Sequence, residues 1–230
     1  MCGIFGYLLQ KKYNSNSNIT PKNINNLRSH FNKISQRGPD YNNLINVDDN
    51  PNIIFGFHRL KIIDLSDNGN QPMIRTLNKQ NKKYKYTLIC NGEIYNFCKL
   101  IKQNNFKQQM QSLCDCEVII YMYHKYGIYK TVCSLDGVFA FMLYDHNKDI
   151  VYVARDPFGV RPLFIGNGIN NNEIYFCSEA KGINELCNYI EQFPPGCIWN
   201  NKIYNYTRYY YYNYPLTNFS LNYYDVNNIF

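Results

Sequence analysis

The sequence of 230 residues predicts an α+β fold in which β-sheets stack in layers beneath covering helices. Three observations carry this prediction. Strand-like runs outnumber helical ones, many of those runs are apolar on both faces, and few are joined by the helical crossovers that a parallel sheet requires.

The elements follow in order. Ile4 to Leu9 reads as a strand that begins almost at the N-terminus, and the polar Asn/Ser stretch at 14–18 reads as a surface loop. A helix is expected next, with Thr20 as N-cap and Pro21 at the first helical position, and with Ile24, Leu27, Phe31 and Ile34 at helical spacing. The run Arg37-Gly38-Pro39-Asp40 ends it, because the residue before a proline is pushed out of helical geometry. Further strands are expected at 52–58, 84–90, 137–144, 150–154, 162–166 and 174–178, and helices at about 96–103, 116–126 and 179–187. No internal repeat is present in the sequence. After Pro194-Pro195-Gly196 the chain becomes tyrosine-rich, with Tyr204, Tyr206, Tyr209 to Tyr212 and Tyr214. This segment reads either as a closing strand followed by a loop or as a linker that packs on another domain.

Composition limits the possible functions. A hydrophobic content of 45% is ample for a core, so the nine cysteines are not needed as staples. The short apolar start has no basic region before it and too few residues to span a bilayer, which points to a reducing cytoplasmic setting without membrane association. Cys114 and Cys116 lack a second pair at zinc-finger spacing, so no metal is expected. The net charge of +7 comes mostly from scattered lysines, and the cluster Lys79, Lys82, Lys83 and Lys85 reads as a solvated loop; no nucleic-acid partner is expected. Among 24 basic residues only seven are arginine, in a chain whose wealth of Asn, Ile, Lys and Tyr favours lysine. Arg37, Arg59, Arg155 and Arg161 therefore mark places where a planar, bidentate fork is needed.

Four groups of residues carry chemistry. A small residue after Met1 permits removal of that methionine, which would give Cys2 both a thiol and a free α-amine, and such an amine titrates near pH 7.7 to 8.0. The thiolate is the nucleophile, and the amine supplies its base without a separate histidine. Asn91-Gly92-Glu93 after the strand reads as a turn, either an ordinary Asn-Gly turn or one whose side-chain amide and close-approaching backbone N–H bind an oxyanion. Asp115 reads as a helix cap or as a partner for a substrate ammonium. Arg59 suits a bidentate grip on a carboxylate, whereas His58 on an apolar strand reads as structural. Asp156 to Gly159 reads as a bend, and there is no glycine-rich phosphate loop.

Together these residues resemble the N-terminal glutaminase domain of glutamine-hydrolysing asparagine synthetases, a class II glutamine amidotransferase among the N-terminal-nucleophile hydrolases. The matching segments are Met1 to Phe5, Arg37 to Asp40, Gly56 to Leu60, Gln71-Pro72, Asn91 to Asn96, Asp115 to Val118, Leu135 to Phe141, Arg155 to Phe164 and Ser178 to Gly182. Gly56 to Leu60 and Gly159 to Phe164 are closer to the animal type than to the bacterial one. The resemblance implies a four-layer αββα sandwich, with a glutaminase domain over 2–200 and a Tyr-rich linker over 201–230 leading to a synthetase domain.

It further implies that Cys2 is the nucleophile and that Asn91 and Gly92 form the oxyanion hole. Arg59 would bind the glutamine carboxylate, Asp115 and Glu93 its amino end, and the backbone of Leu60, Lys61, Ile62 and Ile63 would line the pocket. The glutaminase half is expected to need no cofactor, while ATP and Mg²⁺ belong to the synthetase half. Expected partners are glutamine, a synthetase domain in cis or in trans, and a second copy in a homodimer. Two other readings stand beside this one: a self-standing N-terminal-nucleophile amidase acting on another amide, and a non-catalytic regulatory remnant.

Overall fold

A computed structural model describes residues 1–10, 24–47, 50–170 and 172–211. The first strand, β1 (Gly3–Leu9), alternates strictly. Ile4 and Leu8 face one side and Phe5 and Tyr7 the other, all buried, so this strand lies at the centre of its sheet with a core on each face. Helix α1 (Ile24–Asn32) buries Leu27 and Phe31 and ends ahead of a 3₁₀ turn, Ser35–Arg37, that leads into Gly38-Pro39. The expected cap Thr20, Pro21 and the Asn/Ser stretch lie outside the described residues.

The other strands are β2 (Tyr41–Val47), β3 (Asn50–Arg59), β4 (Met73–Lys79), β5 (Lys82–Ile94), β6 (Gly137–Asp145), β7 (Ile150–Arg155), β8 (Phe164–Gly168), β9 (Glu173–Cys177), β10 (Cys187–Gln192), β11 (Cys197–Asn200) and β12 (Tyr206–Arg208). Helices α2 (Phe97–Asn104), α3 (Val118–Tyr126) and α4 (Ile128–Ser134) lie between β5 and β6. One sheet has the order β10-β8-β9-β1-β3-β2, the second β12-β11-β7-β6-β5-β4, and every strand pair is antiparallel.

Three apolar clusters separate four layers. One, with Leu27, Phe31, Ile183 and Leu186, joins α1 to the outer face of the first sheet. A second, with Ile4, Phe55, Ile89, Met142, Val153, Phe176 and Trp199, fills the space between the sheets. The third packs Val118 to Tyr123 of α3 and Val132 of α4 onto Leu88, Phe139 and Phe141 of the second sheet. The result is the expected αββα sandwich.

Several local expectations are corrected. Asn91-Gly92-Glu93 is not a turn but the end of the thirteen-residue strand β5, with Gly92 opposite Phe139. A Cβ at Gly92 would lie 2.6 Å from the Val138 carbonyl oxygen and 2.8 Å from Phe139 Cα, so glycine here serves a close strand approach. The helix expected at 179–187 is a 3₁₀ turn, Ala180–Gly182, followed by β10. Ile183 and Leu186 are buried there, and their backbone N–H groups bond to the carbonyls three residues back, of Ala180 and Ile183. The cluster of lysines belongs to the β4–β5 hairpin, whose Gln80 and Asn81 both take positive φ. Strands β2, β4, β10 and β11 and helix α4 were not foreseen; β12 falls in the Tyr-rich segment, where a closing strand was one of the two readings, and residues 212–230 of that segment lie outside the described residues. Among the described residues, no helix is long and apolar enough to cross a membrane.

Candidate active site

The site lies where the start of β1, the end of β3 and the end of β5 come together. Residues of even number in β1 and of odd number in this part of β5 face the space between the sheets, as Ile4 and Ile89 do. The same alternation places Cys2 and Asn91 on that shared face. Cys2 packs on the inter-sheet cluster, and its sulfur accepts the backbone N–H of Leu60 at 3.3 Å.

The start of β1 is held from three sides. Ser178 accepts the Ile4 N–H on its Oγ at 2.9 Å and donates its own backbone N–H to the Ile4 carbonyl at 3.0 Å. Arg37 donates from Nε to the Cys2 carbonyl and from Nη1 to Glu179. Gly38-Pro39 then lies directly on β3: a Cβ on Gly38 would meet the backbone carbons of His58 and Arg59 at 2.4 Å, and Pro39 bridges Arg59 in parallel. Asp40 closes the unit, giving its N–H to the Arg59 carbonyl and taking the Lys61 N–H on Oδ2. The Arg-Gly-Pro-Asp run thus ties the start of β1, where Cys2 sits, to the strand that carries Arg59.

A narrow cavity of about 50 Å³ opens beside the thiol, lined by Cys2, Phe57, Arg59, Leu60, Ile62, Ile63, Asp64, Gly69, Gln71, Cys90, Gly92, Glu93, Cys114, Asp115 and Cys116. Of the residues expected at a site, Cys2, Arg59, Leu60, Ile62, Ile63, Gly92, Glu93 and Asp115 are therefore together. Lys61 is not on the wall; its Nζ pairs with Asp67 at 3.2 Å. Asn91 lies just behind the wall, 2% exposed, and its Nδ2 is buried with no hydrogen-bond partner among the described residues. An unpaired buried amide donor costs on the order of 1–3 kcal/mol, so it calls for an explanation.

Arg59 is 5% exposed. Its guanidinium donates to the carbonyl oxygens of Ser66 at 2.7 Å and of Asp64, and to Asn70 Oδ1 at 2.6 Å. Three of its five N–H groups are used by the 64–70 loop, which leaves Nε–H and one Nη2–H, the pair that suits a carboxylate. Asp64 stiffens the same loop through Ser66 and reaches the Leu113 N–H at 2.8 Å, drawing the loop towards Asp115. Asp115 does not cap α3. Its Oδ2 takes the Ile94 N–H instead, and burial raises its pKa against that and other backbone hydrogen bonds. Glu93 pairs with Arg161 at 2.7 Å, and Arg161 is presented by the loop that Asp156 organises through four backbone N–H groups.

Burial also pushes the Cys2 thiol up from its usual value, with the Leu60 N–H pulling the other way. A thiol raised in this way needs a base before its sulfur can act as a nucleophile. His58 is not that base: its Nε2 is 3.0 Å from the Phe31 carbonyl oxygen, and its ring stacks on Phe31 at 3.9 Å. While Met1 is attached, the Cys2 nitrogen is an amide; removal of Met1 turns it into an amine on the same residue as the thiol.

Residues 1–198 match the glutamine amidotransferase domain family. The chain belongs to that family. Over 171 residues the amidotransferase domain is 44% identical to the glutamine-hydrolyzing asparagine synthetase of Bos taurus and 41% identical to that of Homo sapiens, in each case covering 71% of this chain and 29% of the relative. The Gallus gallus enzyme is 45% identical over 163 residues, 27% of its length. The chain thus spans less than a third of these relatives. Among solved structures, the allosteric regulatory enzyme of purine biosynthesis superposes with a TM-score of 0.70 at 18% identity, covering 91% of this chain and 49% of that one. Glutamine phosphoribosylpyrophosphate amidotransferase from B. subtilis gives 0.68 at 19%, with the same coverage. At such identities the likeness is one of fold.

Sequence reasoning gave no role to Gln71, Ser178 or Glu179, and for Arg37 and Asp156 it gave only a bidentate fork and a bend, although all lie inside the matched segments. Gln71 is a case of mimicry: its side-chain amide takes the Cys90 N–H at 2.6 Å and donates to the Cys90 carbonyl at 3.3 Å, as a neighbouring strand would. The retained arginines were the available signal. Arg155, for example, donates to the carbonyl oxygens of Arg161, Phe193 and Gly159, which a lysine could not do from one position.

Proposed function

We propose that the amidotransferase domain hydrolyses glutamine to glutamate and ammonia with Cys2 as nucleophile. The ammonia then serves ATP-dependent conversion of aspartate to asparagine on a synthetase domain, joined in cis or met in trans, with ATP and Mg²⁺ belonging to that second domain. One observation carries the chemical part: the unpartnered, buried Nδ2 of Asn91, on the strand face it shares with Cys2. An oxyanion formed on the substrate is the partner such a donor lacks.

In the proposed cycle the sulfur attacks the side-chain carbonyl carbon of glutamine, and the α-amine freed by loss of Met1 takes the thiol proton. Charge moves to the carbonyl oxygen, which Asn91 Nδ2 and the Gly92 N–H stabilise. The C–N bond then breaks, the amine passes its proton to the departing nitrogen, and ammonia leaves a thioester on Cys2. Water adds to that thioester, glutamate leaves, and the thiol is restored. Arg59, through Nε and Nη2, grips the α-carboxylate, and Asp115 with Glu93 holds the ammonium end. These two charged grips favour an amino acid over a general amide, and the 41–45% identity to glutamine-hydrolyzing synthetases favours asparagine formation as the use of the ammonia.

The test is glutamate release from glutamine by the purified protein, compared with Cys2→Ala, with intact mass read on both. Turnover by protein lacking Met1 and none by the variant supports the mechanism. Equal rates, or faster turnover of simple amides than of glutamine, overturn it.

A further inference from the structure

One wall of the cavity is unusually rich in sulfur. Cys90, Cys114 and Cys116 all line it, and all three are free thiols. The sulfurs of Cys114 and Cys116 and a carboxylate oxygen of Asp115 lie within 4.8 Å of one another. Cys90 lies in the same cavity lining, outside that mutually close set, and Cys116 Sγ donates to the Gly92 carbonyl at 3.7 Å. The proposed cycle uses none of these three thiols; Cys90 and Cys116 belong to the apolar cluster beneath α3 and Cys114 packs on it, yet all three also open onto the cavity beside the Asp115 carboxylate.

Their geometry suits a thiophilic ion. Ligands on a tetrahedral zinc ion with Zn–S bonds of about 2.3 Å sit roughly 3.8 Å apart, and the Cys114, Asp115 and Cys116 ligand atoms already lie within 4.8 Å of one another. The donor set of three sulfurs and one carboxylate oxygen is soft enough to exclude Mg²⁺ and Ca²⁺ and fits zinc or cobalt. Access comes through the cavity and past Cys114, which is half-buried, while Cys90 and Cys116 lie behind it, each 2% exposed. Each thiol that ligates exchanges its S–H bond for an S–metal bond and releases its proton to solvent; no electron changes hands.

We propose that Cys90, Cys114, Asp115 and Cys116 form a binding site for a divalent cation of the zinc class, and that occupancy of this site shuts off glutamine hydrolysis. The second part rests on the glutaminase reading above. Asp115 cannot hold a substrate ammonium and ligate a metal at once, so metal and glutamine compete. The chain thereby carries an inhibitory metal switch beside its nucleophile, separate from any direct capture of Cys2.

Reduced, chelator-treated Cys2→Ala protein is titrated with Co²⁺ in the absence of oxygen, which removes the nucleophile as a ligand. One equivalent should bind, with thiolate-to-cobalt charge-transfer bands in the near ultraviolet and intense tetrahedral bands in the visible. Cys114→Ser, whose side chain is half-buried and least able to disturb folding, must weaken binding, and Cys114→Ser/Cys116→Ser must abolish the charge-transfer bands while far-ultraviolet circular dichroism confirms a folded chain.

In protein that keeps Cys2, Zn²⁺ should inhibit glutamate release competitively with glutamine and reversibly on chelation. The double variant, measured against its own metal-free rate, should need at least about tenfold more Zn²⁺, the least that loss of even an outer-shell partner costs a metal site. Absence of thiolate bands in Cys2→Ala protein, or bands unchanged in the double variant, overturns the site. Equal Zn²⁺ sensitivity with and without the two thiols overturns the switch and assigns inhibition to Cys2 itself. Metal-free protein that releases no glutamate would instead refute the glutaminase reading, and the cobalt spectra would still decide the site.

Discussion

Arg37 donates from Nε to the carbonyl oxygen of Cys2 at 2.8 Å. With Nη1 on Glu179 at 2.9 Å, the guanidinium fixes the backbone of Cys2, the proposed nucleophile. A lysine has one donor head and cannot keep both contacts. Arg37→Lys should therefore slow turnover by about 10- to 100-fold, as small misplacements of reacting groups do, and leave the KM for glutamine within about twofold. Steady-state kinetics decide this, and a rise in KM alone would count against a positioning role.

Asn91→Ala removes the buried donor that has no partner among the described residues. The lost transition-state stabilisation, about 3 to 4 kcal/mol, should slow turnover by roughly two to three orders of magnitude with little change in KM, read from steady-state glutamate release. The folded state loses no hydrogen bond from Nδ2, so the melting temperature should stay close to that of the parent.

Asp115 is held in an environment that raises its carboxyl pKa, chiefly through burial. A raised folded-state value means that its stabilising share is present below the unfolded value of 3.8 and lost as pH rises through the folded value. At neutral pH the ionised form is a burden on the fold. Asp115→Asn should therefore raise the urea midpoint at neutral pH. It should also raise the KM for glutamine by about 10- to 100-fold, the worth of a hydrogen-bonded charge.

His58 behaves in the opposite direction with pH. Burial lowers its pKa below 6.5, so the unfolded chain binds a proton that the native protein refuses. Stability therefore falls as pH drops below the unfolded value. A His58→Gln variant should lose less of its urea midpoint than the parent between about pH 7 and pH 5. The comparison isolates His58, because Asp115, whose sign is reversed, is common to both proteins.

Arg75 and Glu117 form an ion pair at 2.7 Å, and the Glu117 side chain is fully buried. Glu117 also accepts from the Gln111 and Ser112 N–H groups and from Tyr121, so it anchors the segment that carries Asp115 to the start of α3. Arg75→Met leaves that charge without its cation and should cost about 3 kcal/mol or more of unfolding free energy, measured in urea. The paired variant Arg75→Met/Glu117→Gln should recover part of it.

Much of this molecule was legible from the chain itself. The alternation of β1 and the apolar runs of β5, β6, β7 and β9 follow from short-range periodicity, and the placement of α2 and α3 does too. The shortage of arginine relative to lysine located Arg37, Arg59, Arg155 and Arg161. The first three each donate to two or more acceptor groups, and Arg161 pairs with the Glu93 carboxylate. Elements with weak local signals were missed. Strand β10 is an edge whose residues are half-buried or exposed, and α4 is a seven-residue helix with two buried positions, so neither has a clear period. They form because β8 and α3 offer them a surface.

The sequence by itself determined that Cys2 could carry a thiol and an amine in one residue, that Arg59 suits a carboxylate and that the layers are sheets under helices. These are properties of residue types and of local spacing. Only the tertiary structure decided that Asn91 lies within a strand with its amide nitrogen unpaired among the described residues, that Asp115 turns back to β5 instead of capping its helix, that Arg37 grips the Cys2 carbonyl and that three further thiols line the same cavity. Each of those relationships depends on sheet register and close backbone approach between segments far apart in the chain, and long-range pairing leaves no period from which it could be read.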